Sequence, residues 1–133
     1  MAKVAYKGIA DRQEPTHLED DVHNLRIVKA THGAGKADST KFRTEVILDC
    51  PDQPDKQGVF HYLGDQNPDG DPKAEEFKGL MAKRFLIHFD IPFDDEGYDP
   101  DDFLGKQAAT RTKQSKDDQG RTQVSLILPE IQI

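Results

Sequence analysis

The residues best able to hold a metal ion fall in a single run. Asp65-Gln66-Asn67-Pro68-Asp69-Gly70-Asp71 with Glu76 sets oxygen donors at the first, third, fifth and twelfth positions of a loop. That is the spacing of an EF-hand calcium site, with Asp65, Asn67, Asp69 and Glu76 as candidate ligands and a glycine for the sharp turn. The context is wrong for it. A strand pattern precedes the run, Pro68 stiffens its middle, and Pro72 stands where such loops carry an apolar residue. The same letters have a complete alternative account: Asp69-Gly70 makes a turn, and Asp71-Pro72 caps a helix. The expectation is no metal and no other cofactor.

Other chemistries find less. His32-Gly33-Ala34-Gly35-Lys36-Ala37 resembles a phosphate loop but lacks its spacing and its following Ser or Thr. It reads as a turn, whose Lys36 could touch a phosphate. Cys50 is the sole cysteine, so it can form no internal disulfide, one thiolate argues against a thiolate zinc site, and no cysteine-protease signature surrounds it. His17, His23, His32, His61 and His88 include no pair at helical i, i+4 spacing. Asp90, Asp94, Asp95 and Glu96 could hold magnesium, but acids in a stretch broken by proline and glycine read as a solvated loop. No catalytic constellation emerges, and the chain is read as a binding protein, not an enzyme.

The elements that position these residues follow from periodicity. Residues 1–21 are polar and read as an arm. Leu25 and Ile27 alternate with Arg26, a half-buried strand, and residues 31–38 read as a turn on their two glycines. Residues 40–49 form the clearest strand, with Phe42, Thr44, Val46 and Leu48 on one face and Lys41, Arg43 and Glu45 on the other. Residues 59–63 are a third strand, apolar on both faces. Either Phe60 and Tyr62 point outward, or they fill the core and Val59, His61 and Leu63 point outward. Phe77, Leu80, Met81 and Phe85 recur at helical spacing, giving a helix over 72–88. Asp99-Pro100 starts one helical turn that Gly105 stops. Residues 106–113 and 121–129 form a closing hairpin about a turn at 117–120. The fold expected is mainly β: a five-stranded OB-fold-like barrel over 22–133, with one helix between strands 3 and 4.

Charge is segregated along the chain. The net charge of −7 comes from residues 90–102, which hold seven acids and no base. Outside that insert 18 acids balance 18 bases, so the body can carry a basic stripe. An acidic loop of this kind can mimic phosphate and occupy its own protein's basic groove, or dock a basic partner. Residues 1–9 hold no apolar core of signal-peptide length, and no stretch approaches a membrane span. The expected location is the cytoplasm, with no membrane partner.

The run Asp102-Phe103-Leu104-Gly105-Lys106, the polar strand after it, Asp118-Gln119-Gly120-Arg121 and the final alternating strand resemble a phage-encoded family of small replication and recombination proteins. The run from Leu25 through Phe42 to Tyr62 resembles it as well. The resemblance implies an OB fold and single-stranded DNA binding with little sequence preference, in the host cytoplasm. A replication or recombination protein partner and a homo-oligomer are possible within it.

A single-strand binder needs cations that track phosphates and rings on which bases stack. The candidates are Lys41 and Arg43 on the second strand, Phe60 and Tyr62 on the third, and Lys106, Arg111 and Lys113 on the fourth. The alternative is a structural or protein-interaction module of a phage, a virion or accessory protein built on the same barrel.

Overall fold

The computed structural model describes residues 2–35 and 41–132. Its long strands are β1 (Val22–Ala34), β2 (Phe42–Asp49), β3 (Val59–Gly64), β6 (Gln107–Lys116) and β7 (Thr122–Ile127). Between β3 and β6 lie the helix α1 (Pro72–His88), two short strands β4 (Phe93–Asp94) and β5 (Gly97–Tyr98), and a 3-10 turn at Pro100–Phe103. The long strands make one antiparallel sheet in the order β3-β2-β1-β6-β7. The fold is therefore mainly β, with one α-helix between the third and fourth long strands. The sheet is not closed into a barrel: β3 and β7 approach one another, but no ladder joins them. Among the described residues no helix is long and apolar enough to cross a membrane.

Alternation sets the inner face. Leu25 and Ile27 of β1, Thr44, Val46 and Leu48 of β2, and Val59 and Leu63 of β3 are all buried. From β6 and β7 come Thr110, Thr112 and, partly buried, Val124 and Leu126. Phe85 lies at the centre, wholly buried, with the rings of His61, Phe89 and Phe103 at 4.8, 4.8 and 5.9 Å. Fully burying one such ring is worth roughly 1.5–3 kcal/mol.

β1 runs further than its sequence suggests. Residues 31–34, expected in a turn, continue the strand and pair with β2, Ala34 facing Phe42. Gly33 does not break it because β2 supplies the ladder. The rest of the expected turn, residues 36–38 with Lys36 among them, lies outside the described residues. A bulge between Ile27 and Lys29 admits one extra residue, Val28, and inverts the facing of everything after it.

The helix begins as its sequence implies. Asp71 accepts a hydrogen bond from the Ala74 N–H at 3.0 Å, and Pro72 opens the first turn. Its inward face differs from the expected one. Phe85 and Leu86 are buried, with Met81 and Ala82 partly so, while Phe77 and Leu80 face solvent. At 3.6 residues per turn an i, i+4 row drifts about 40° per step, which carries Phe77 off the face that Phe85 holds.

Leu18, from the expected polar arm, is buried in the core. Its carbonyl accepts from Gln114 Nε2, and the neighbouring Glu19 carbonyl accepts from Thr112 Oγ1. Residues 2–15 before it are exposed.

Candidate nucleic-acid interface

The outer face of β1, β2 and β3 carries three cross-strand rows. Lys29, Ile47 and Phe60 form the first, Thr31, Glu45 and Tyr62 the second, and Gly33, Arg43 and Gly64 the third. Phe60 is 53% exposed and Tyr62 41%, while Val59 and Leu63 on the other face of β3 are buried. Of the two facings open to the third strand, the structure has the rings outward. His61 lies on the inner face, stacked on Phe85 with an interplanar angle of 12°. Burial pushes its imidazole down to about 4.

Arg43 and Tyr62 are diagonal neighbours, and the guanidinium carbon sits 4.0 Å from the ring centroid. Such a contact is worth about 0.5–1 kcal/mol at an exposed site, and it holds the cation over one face of the Tyr62 ring. Among the described residues no ion pair involves Lys29, Arg43, Lys41, Lys106, Arg111 or Lys113. Arg26, by contrast, is bound to Asp49 by two hydrogen bonds of 2.8 and 3.2 Å, so its charge is already matched. Lys29 is the residue that sequence reasoning missed. Strict alternation from Ile27 puts it inside, and only the bulge turns it outward.

The seven candidate residues do not form one cluster. Arg43, Phe60 and Tyr62 lie together, with Lys41 exposed just before β2. Arg111 faces Val22 at the start of β1, whereas Arg43 faces Gly33 near its end. Eleven residues separate those partners, roughly 35 Å at about 3.3 Å per residue. Lys113 is two residues further along β6, opposite Ser125. Lys106 lies between the groups, its carbonyl accepting from the Ile27 N–H at the bulge.

The calcium-pattern residues take other partners. Asp65 accepts from His32 Nε2 at 2.8 and 2.9 Å, and Asn67 Oδ1 accepts from the Asp69 N–H. Glu75, one residue before the expected ligand, folds into the loop and accepts from the Asn67 N–H and from Lys78 Nζ. Glu76 is exposed. Among the described residues no three His, Cys, Asp or Glu side chains gather as a metal site.

A second concave region, of about 650 Å³, lies between the end of β3, α1 and the β4–β5 hairpin. Four of its charged groups are matched in pairs, His32 to Asp65 and Lys78 to Glu75, and Glu96 of the hairpin stands unpaired at its edge among the described residues. The hairpin is rooted by Tyr98, whose hydroxyl shares a 2.8 Å hydrogen bond with Thr44 Oγ1 on the inner face of β2. Burial is the main cause that raises the Tyr98 phenol. The acidic segment is thus anchored on the face of β2 opposite Arg43 and Glu45.

Comparison with known protein families finds none whose model matches the chain, and comparison with curated proteins finds no match.

Proposed function

We propose that the chain binds single-stranded DNA on the outer face of β1, β2 and β3, without catalysis and with little sequence preference. The observation that carries this reading is the outward pair Phe60 and Tyr62, with Lys29 in the row of Phe60 and Arg43 in the row next to that of Tyr62. Two solvated rings on neighbouring positions of a sheet face give bases something flat to stack on, and the flanking cations can follow the phosphates. The strand order and the helix position support an OB-type fold, one left open between β3 and β7. The resemblance of residues 22–133 to phage replication and recombination proteins points to that role in a host cytoplasm.

A labelled-oligonucleotide titration tests it. Stacking worth ~1–3 kcal/mol per base means that Phe60→Ala or Tyr62→Ala weakens binding about 5- to 150-fold. With Lys29, Lys41 and Arg43 engaged, affinity falls with salt at a log–log slope of about −2, at roughly 0.7 per phosphate. Single-stranded RNA and duplex DNA in parallel define the ligand. Absence of binding to any strand at low salt, or wild-type affinity in both ring variants, rejects the proposal.

A further inference from the structure

Helix α1 leaves an apolar stripe without a partner. Phe77, Leu80 and Ile87 are 63%, 38% and 45% exposed. With Lys73 and Arg84 they form a continuous row, because steps of three and four residues stay on one side of a helix. Lys83 borders the row and Glu76 is the one acid beside it, so the stripe is apolar with a net positive rim. Arg84 has its Nε donor buried with no acceptor among the described residues, and its Nη1 reaches only the Met81 sulfur at 3.8 Å.

The same molecule carries the complementary surface. The β4–β5 hairpin presents Phe93, 42% exposed, beside the exposed carboxylates of Asp95 and Glu96. Neither acid has an ion-pair partner among the described residues. Asp94 is used locally, its Oδ1 accepting from the Glu96 and Gly97 N–H groups and holding the turn. This hairpin cannot reach the stripe of its own helix. Glu75, Lys78, Gly79 and Ala82 face the cleft shared with the hairpin, and the stripe lies on the far side of the helix from them.

We propose that the stripe is a docking site for the β4–β5 hairpin of a second copy of this chain. Phe93 packs on Phe77 and Leu80, and Asp95 and Glu96 meet Lys83 and Arg84. The two surfaces differ and sit on opposite sides of α1, so the contact is head-to-tail. Repetition builds a ring where the rotation between copies closes and an open chain where it does not. The contact needs no nucleic acid, so it stands or falls separately from the strand-binding reading.

Sedimentation of the full chain without nucleic acid tests the proposal. The wild type associates with rising concentration at low salt and dissociates at high salt. Phe77→Gln with Leu80→Gln, and separately Asp95→Lys with Glu96→Lys, each weaken association at least about tenfold. All four positions are exposed, so the circular-dichroism melt stays close to that of the wild type. Mixing the two variants pairs the one intact stripe with the one intact hairpin and gives a heterodimer that grows no further. A wild type that stays monomeric at all concentrations overturns the proposal. So does a hairpin variant that associates like the wild type, which would assign the stripe to helix-on-helix pairing. A mixture without heterodimer overturns it as well.

Discussion

His61 is a titratable side chain turned to the inner face, and its environment sets one part of the protein's response to acid. The unfolded imidazole takes up its proton near 6.5, but the folded one does so only near 4. Between those values the unfolded chain binds more protons, so stability is full above about pH 6.5 and declines as pH falls toward 4. The loss reaches roughly 3 kcal/mol at most, at 1.36 kcal/mol per unit. Thermal melts of the wild type and His61→Phe across this window check it. The variant keeps a ring on Phe85 and lacks that part of the acid sensitivity. On the outer face Glu45 has the opposite interest. It sits in the row of Tyr62, a carboxylate within the proposed phosphate path. Glu45→Gln removes that repulsion and tightens binding about two- to fivefold at low salt, an advantage that fades as salt rises. An unchanged titration curve would place the strand elsewhere.

The strand that organises the proposed interface is β1, which pairs with β6 over its first residues and with β2 over the rest. Because Arg43 and Arg111 attach near its opposite ends, they do not act as one site. Arg43→Ala weakens binding of a short oligonucleotide several-fold, and Arg111→Ala leaves it within about twofold. Equal losses in a short-oligonucleotide titration would contradict the division. Elements were readable from the sequence where one local signal acts alone. The Asp71 cap and Pro72 mark the helix start, and alternation in β2 gives its buried face. They were unreadable where two signals compete. Val28 breaks the alternation of β1, so Lys29 falls on the wrong face by simple counting. Both faces of β3 are apolar, so the facing of Phe60 and Tyr62 depends on which side finds Phe85. The stripe at Phe77, Leu80 and Ile87 looks like core in sequence. It lies outside because the helix turns the side that carries Met81, Ala82, Phe85 and Leu86 to the core and this side away from it.

Across the whole molecule, the strand number and the helix position were legible, but closure was not. Closure depends on whether β3 and β7 come within ladder distance, and no residue in either strand encodes that distance. Charge was legible as an amount and not as a direction. The acids of residues 90–102 were countable, whereas their anchorage through Tyr98 and Thr44 required the fold. The lone thiol offers a further use. Cys50 is sealed at the end of β2, 5% exposed, so a disulfide-exchange reagent reaches it only when this end of the sheet opens. Its modification rate is a built-in clock for that opening. An oligonucleotide gripping β2 and β3 slows the clock in proportion to occupancy, which gives a label-free measure of binding in the unmodified chain.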